Sequence, residues 1–332
     1  MKRFLPLALV LAAVALLVPL LMAEEGAKGQ WGNISDALIA KLAGEGVKPG
    51  YAGPTAGIAA DHASGDVYLV VNDQGLYKSA DKGATFARVA DGKTVGGRYE
   101  TAFALDADPA GTRLMCFMIY GSSAYTDDGG KTWLKSGTSH LDFGQVDWTD
   151  AKSMIALRHE SGGTICLTTD GAKTWKDLGK GFSRVGLFDS KTLLATKEKE
   201  PGIFRSTDGG ESWAKVSDLK PAGLAMRTYK GVGYWTSEAG LLASKDKGAT
   251  WAVQGGPVNA FQGPCFGKDA THIVVVGKEG FHETTDAGKT WKLVAPMPAG
   301  YAADRMTLCA WDPSANIFYI SRMTRPAFKY AR

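Results

Sequence analysis

Three acidic side chains, Glu100, Asp142 and Glu160, stand in turn-rich stretches of this sequence, where a carboxylate could give or take a proton. Cleaving a glycosidic bond needs two such groups, one as acid and the other as base or nucleophile. Whether any two of them work together depends on their separation, which the fold must set. Glu160 directly follows His159; the two could relay a proton, but one His beside one Glu in a turn reads first as solvated surface. Tyr99, Phe143, Phe182 and Tyr301 could stack on a sugar, grip a protein loop, or pack the narrow centre of a ring of strands. No stretch resembles a glycine-rich phosphate loop, a nucleophile elbow or a metal cluster, so no cofactor and no metal are expected.

The chain begins with Met1-Lys2-Arg3, an apolar run from Phe4 to Met22, then Ala23, Glu24 and Glu25. A basic start, an apolar centre and a small residue at the cut make residues 1–23 a secretory signal. The run is also nearly long enough to span a bilayer, so an uncleaved anchor through residues 4–22 is the alternative. Either way the body is expected outside the cytoplasm: secreted, periplasmic or extracellular. Removing Lys2 and Arg3 lowers the formal charge of +4 to near neutrality, which gives no reason to expect nucleic acid. Four cysteines, Cys116, Cys166, Cys265 and Cys309, are far apart and form no CxxC pair, which argues against zinc. In an exported chain they could form disulfides, with Cys265 and Cys309 the pair to test, or remain buried thiols.

The elements that must hold these residues come from a repeat. An octapeptide recurs six times, first as Ser79-Ala80-Asp81-Lys82-Gly83-Ala84-Thr85-Phe86 and then as Thr126-Asp127-Asp128-Gly129-Gly130-Lys131-Thr132-Trp133. The others run 168–175, 206–213, 244–251 and 284–291, and the third has its glycine one place early. Their aspartates, Asp81, Asp128, Asp170, Asp208, Asp246 and Asp286, are separated by 47, 42, 38, 38 and 40 residues. A period near 40 with several short strands is what propeller blades show. Within the octapeptide, Asp and Ser/Thr can bond nearby backbone N–H groups, and Gly tolerates the positive φ of a reversal. The aromatic that follows starts a strand and buries its ring. These aspartates are therefore structural clamps of a hairpin rather than catalytic acids.

Each repeat reads as four short strands: in the first, Gly57 to Asp61, Asp66 to Val71, Gly75 to Ser79 and Thr85 to Val89. Trp148 and Trp311, late in first strands beside Asp147 and Asp312, read as core rather than as ligand platforms. After the sixth octapeptide only three strands remain, near Met306 to Asp312, Asn316 to Arg322 and Ala327 to Tyr330. The missing strand stands at the other end, where Trp31-Gly32-Asn33-Ile34-Ser35 echoes Trp213-Ala214-Lys215-Val216-Ser217. The expectation is an all-β chain, a single seven-bladed β-propeller of four-stranded blades over 24–332. An N-terminal strand near 31–35 completes the last blade and leaves few unpaired edges. A short helix is expected over Asp36 to Gly44. A six-bladed ring with spare ends is the alternative.

The octapeptides resemble those of the Asp-box, or bacterial neuraminidase repeat, propellers, and the resemblance covers nearly all of the chain after the leader. That family includes sialidases, xyloglucan-cleaving glycosidases, a sortilin-type receptor domain and a lumenal photosystem II assembly factor, so the motif implies architecture and leaves activity open. A sialidase would bring three arginines from separate blades to one carboxylate, beside a Tyr–Glu nucleophile and an Asp acid. Arg98, Arg184, Arg227 and Arg305 lie near the starts of first strands, with Tyr99-Glu100 and Tyr301 nearby. The family's early Phe-Arg-Ile-Pro is absent; Ile203-Phe204-Arg205 and Arg325-Pro326 are its nearest echoes. Xyloglucan-cleaving relatives pair two propellers around a cleft, and this chain has length for one. The resemblance further implies that ligands meet the face made by loops entering the first strands and by second-to-third-strand loops. That face would carry Arg98, His140, Arg184, Arg305, Phe143 and Phe182 as binding candidates, with Glu100, Asp142, Glu160, Tyr99 and Tyr301 as catalytic candidates.

Two functions from different classes follow. One is a non-enzymatic binding or assembly propeller, monomeric, that holds an extracellular protein or glycan on its loop face. The other is a glycoside hydrolase, sialidase-like, or a polysaccharide lyase acting on extracellular glycan. Convergence of Arg98, Arg184 and Arg305 on one spot with a carboxylate between them separates the two.

Overall fold

The computed structural model describes residues 28–48, 50, 53–99, 101–109 and 111–332. The segment read as a signal or anchor, residues 1–23, lies outside the described residues, as does Glu100. Among the described residues no helix is long and apolar enough to cross a membrane.

Each octapeptide closes its hairpin as its side chains dictate. In the first, Ser79 Oγ accepts the Gly83 N–H at 2.7 Å, and Asp81 Oδ1 accepts the Thr85 N–H at 2.8 Å. The Thr85 hydroxyl donates to Asp81 Oδ2, and Ser79 donates to Oδ1, so the carboxylate is fully used. The same bonds recur at Asp128, Asp170, Asp208, Asp246 and Asp286. The fifth position of the octapeptide has positive φ throughout: Gly83, Gly130, Gly210, Gly248 and Gly288, with Ala172 (φ 68°) in the third repeat. Glycine is also needed there for contact. A Cβ on Gly210 would stand 2.5 Å from Leu178 Cδ1, in the outer strand of the preceding blade.

The hairpins assemble into seven four-stranded antiparallel sheets, each in chain order from its inner strand outward. Blade 1 is Thr55–Ala60, Val67–Val71, Gly75–Ser79 and Ala87–Asp91. The inner strands of blades 2 to 7 are Leu105–Ala107, Leu141–Val146, Phe182–Leu187, Arg227–Tyr229, Ala260–Phe266 and Thr307–Asp312. Blade 7 adds Ile317–Arg322 and Phe328–Ala331, and its outer strand is Trp31–Asn33, with Trp31 opposite Tyr330. This is the expected seven-bladed propeller closed by an N-terminal strand, and the six-bladed alternative does not apply. The helix spans Asp36–Gly44.

The closure reuses the contact between clamp glycine and preceding blade. Leu178 lies three residues after Trp175, and Val89 three after Phe86; each meets the clamp glycine of the next blade. Ile34 lies three after Trp31, and a Cβ on Gly83 would stand 3.1 Å from its Cγ2. Ser35, fully buried, accepts the Ala327 N–H at 2.9 Å. The ring is thus sealed by the joint used between interior blades.

The first strands run from an upper face, where chain enters each blade, to a lower face that carries the clamps. At their lower ends a second aspartate holds the first-to-second-strand turn. Asp61 accepts Ala63 and Ser64 N–H groups, and Asp147, Asp189, Asp269 and Asp312 do the same in their blades. Cys265 and Cys309, the pair proposed for a disulfide, are free thiols on neighbouring first strands; Cys116 and Cys166 are free and buried. Burial pushes the Cys309 thiol well above its ordinary value.

Candidate functional site

The upper face carries a groove built from two adjoining cavities. The larger, of about 820 Å³, lies over blades 4 and 5 between Arg184, Lys220, Glu238, Leu219 and Phe261. The smaller, of about 420 Å³, lies over blades 3 and 4 and is lined by Asp142, Phe143, His159, Glu160, Phe182 and Arg305. Both are lined by Ser183 and Glu198, which makes them one depression. Its walls come from the two loop sets that the family resemblance singles out.

In the smaller half, His159 is mostly buried and holds Asp142: Nδ1 stands 2.8 Å from Asp142 Oδ1. On its other side Nε2 is 3.7 Å from Oε1 of Glu160, whose side chain is 78% exposed. The His159 N–H donates to the carbonyl of His140, which has φ 58°. Tyr120 sets its ring edge against both His140 and His159, and the Arg98 guanidinium lies 4.3 Å from the Tyr120 centroid. Arg98, His140, Asp142 and Glu160 thus belong to one aromatic and polar cluster. His159, read as solvated surface from its neighbourhood in sequence, is its centre. The reason is the pairing of Leu141 with Arg158, which sets Asp142 beside His159 across 17 residues of sequence. Two carboxylates bracketing one imidazole differ from a pair spaced across a sugar linkage, which requires about 5–10 Å of open ground between the acids.

The aromatic candidates divide. Phe143 and Phe182 are buried, pack into one apolar cluster with Phe103, and form the floor of the smaller cavity. Tyr99 has no exposure and lies against Cys116, and burial raises its phenol well above the usual value. A residue so placed is core, which corrects its reading as a loop-face nucleophile. Tyr301 donates to the Pro326 carbonyl and packs edge-on against Phe328, away from the other three in blade 7.

The arginines differ in their immediate surroundings. Arg98 is held by Tyr120, Arg184 lines the larger cavity, and Arg305, exposed, lines the smaller. Arg227 sits inside the central channel, where its Nη1 meets Asp106 Oδ1 at 2.7 Å. Arg184 combines partial burial with the lack of an ion pair: among the described residues no carboxylate lies within ion-pair distance of it. Its Nε donates to the Ala222 carbonyl at 3.3 Å and Nη1 to Ser183 Oγ at 3.4 Å, both long bonds. Burial lowers its pKa, the sign of a cation deprived of water and lacking a counter-ion.

Sequence reasoning missed Asp106, which takes part in the ion pair deepest in the channel. Its Oδ2 accepts the Val146 N–H at 2.7 Å. Burial raises its pKa, opposed by Arg227, the Val146 N–H and Trp148. The only signal available was a charged residue in an inner strand, Leu105-Asp106-Ala107, flanked by apolar ones. Among the described residues no group of three or more His, Cys, Asp or Glu is placed to hold a metal ion.

Comparison with known proteins bears on the fold. YCF48 from Cyanidioschyzon merolae is similar over 91% of this chain and 98% of its own, at 13% identity and a TM-score of 0.50. A YCF48 bound to D1 peptide matches 84% of this chain and 94% of its own, at 16% identity and a TM-score of 0.53. The Pan2 WD40 domain of Neurospora crassa matches 91% and 94%, at 9% identity and a TM-score of 0.57. These likenesses show a β-propeller. Dispase autolysis-inducing protein of Streptomyces mobaraensis is 30% identical over 155 residues, 45% of this chain, and the match spans 39% of that protein. No family model matches the chain.

Proposed function

We propose that the protein is an exported, non-enzymatic propeller of the Asp-box type that binds a segment of another protein in its upper groove. Arg184 carries this reading. A half-buried guanidinium without a carboxylate partner is costly on its own, and a ligand carboxylate would relieve that cost through a charge-assisted, bidentate bond. Leu219, Pro221, Ala222 and Phe261 beside it give an apolar wall. The occupant that suits both is an extended peptide carrying an acidic side chain or chain end next to apolar residues. YCF48, of the same fold, is known bound to a peptide, which makes a peptide an occupant that this architecture can hold.

The test is fluorescence anisotropy with labelled peptides that pair an acidic residue with apolar neighbours, against neutral versions of the same peptides. Acidic peptides are expected to bind the wild type and to lose at least tenfold in affinity to Arg184→Gln. Equal affinity for acidic and neutral peptides, or for the two proteins, overturns the reading. The glycosidase alternative rests on the Asp142–His159–Glu160 cluster; it requires glycan turnover that disappears in Asp142→Ala while the fold persists.

A further inference from the structure

We propose that the lower mouth of the central channel is a second binding site, for a single aromatic ring bearing a carboxylate or carboxamide. A cavity of about 110 Å³ opens there, with His62, Asp106, Trp148, Arg227, Phe266 and Trp311 brought to it by six different blades. A further space of about 50 Å³ lies deeper in the channel, and Arg227 lines both.

The polar groups here are unequally satisfied. Asp106 is saturated, with one oxygen on Arg227 and the other on the Val146 N–H. Arg227 is not. It has five N–H donors, and among the described residues its side chain makes one hydrogen bond, to Asp106. The Phe103 ring lies 4.8 Å from its carbon centre and shields it on one side. The indole N–H of Trp311 is also buried without an acceptor, while the Trp148 side chain lies against the Asp106 carboxylate. Every unfilled group named here is a donor, so the fitting partner presents acceptor oxygens. A donor withdrawn from water without an acceptor carries a desolvation cost, which the ligand would recover.

Apart from His62, Gln145 and Thr228, the rest of the cavity is apolar or aromatic, with Phe266 and the two tryptophans among its walls. Its volume is close to that of cavities that admit one benzene ring, on the order of 150 Å³. A buried ion pair also seals a channel no better than apolar residues of equal size would. Its presence at this depth is accounted for if Arg227 is held in place by Asp106 for use by a ligand. This site is independent of the upper groove and stands or falls separately.

Benzoate, benzamide and toluene serve as probes, titrated into the full chain and followed by saturation-transfer NMR and calorimetry. Benzoate or benzamide is expected to bind with a Kd of about 1 mM or tighter, and toluene at least tenfold more weakly. Ala107→Phe fills the cavity and leaves the ion pair intact; it should abolish binding at an unchanged melting temperature. Because Arg227→Gln alone would strand Asp106, the paired variant Asp106→Asn/Arg227→Gln is the second test, and it should also lose the probes. No binding of either acceptor-bearing probe at about 10 mM, equal binding of toluene, or undiminished binding by Ala107→Phe would overturn the proposal.

Discussion

The clamp carboxylates set the acid limit of this protein. Hydrogen bonds from the hydroxyls of Thr132, Thr174 and Thr250, then from the same residues' N–H groups, hold Asp128, Asp170 and Asp246 down to about 2. Asp286 is held there by the hydroxyl of Thr284 and the N–H of Thr290. A carboxylate whose folded pKa lies below its unfolded value contributes stability that is complete above the unfolded pKa, 3.8, and lost as pH falls through the folded one. Urea midpoints should therefore be flat from pH 7 to about pH 5, then fall steeply toward pH 2. An Asp128→Asn variant should show a shallower fall; an unchanged slope would mean that the clamps do not couple to folding. The fourth clamp position tests the backbone. It has φ 59° at Lys82, 54° at Lys247 and 61° at Ala287, where the other three repeats use glycine. Ala287→Gly should stabilise by about 1 kcal/mol, measured by chemical denaturation. At the channel centre the sign reverses: Asp106→Ala should cost about 1–3 kcal/mol, because it leaves the part-buried Arg227 without its partner.

Among the elements, the N-terminal strand has the most to say about what was readable in advance. Its pairing with Phe328–Ala331 was legible because Trp31 to Ser35 repeats the outer-strand pattern and because the last repeat lacked a fourth strand. The clamps were legible for the same reason, since their chemistry is local and completes itself within eight residues. The Asx turns at Asp61, Asp147, Asp189, Asp269 and Asp312 were not, because only one residue is fixed and the rest of each turn varies. Trp31 links three elements: its indole donates to Pro296 at 2.8 Å, and its ring meets Phe281 and Tyr330. Trp31→Ala should cost about 2 kcal/mol in urea denaturation. Deleting residues 28–35 should go further, opening the ring and exposing Phe328–Ala331 to hydrogen exchange. Unchanged protection of that strand would contradict closure by the N-terminal strand.

At the scale of the whole molecule, the function of a propeller depends on which loops from different blades meet, and that is set by ring geometry. His159 and Asp142 lie 17 residues apart yet share a hydrogen bond, and Arg227 meets Asp106 across 121 residues. Composition and spacing placed the candidates in loops but carried no information about which would face one another. Arg98, Arg184 and Arg305 looked equivalent by position in the repeat; in the ring Arg184 lines the larger half of the groove, Arg305 the smaller, and Arg98 lies on Tyr120. Arg184, with its long hydrogen bonds and, among the described residues, no carboxylate in ion-pair distance, is the residue on which the proposed recognition rests. The most direct measurement is site-specific photo-crosslinking in the native cell envelope, with the probe at Lys220 or Glu238 in the groove and at Lys152 on the lower face. One discrete protein partner captured from the groove positions alone, and lost with Arg184→Gln, is the expected result. Capture that is equal from the lower face, or that persists in Arg184→Gln, would contradict recognition through this groove.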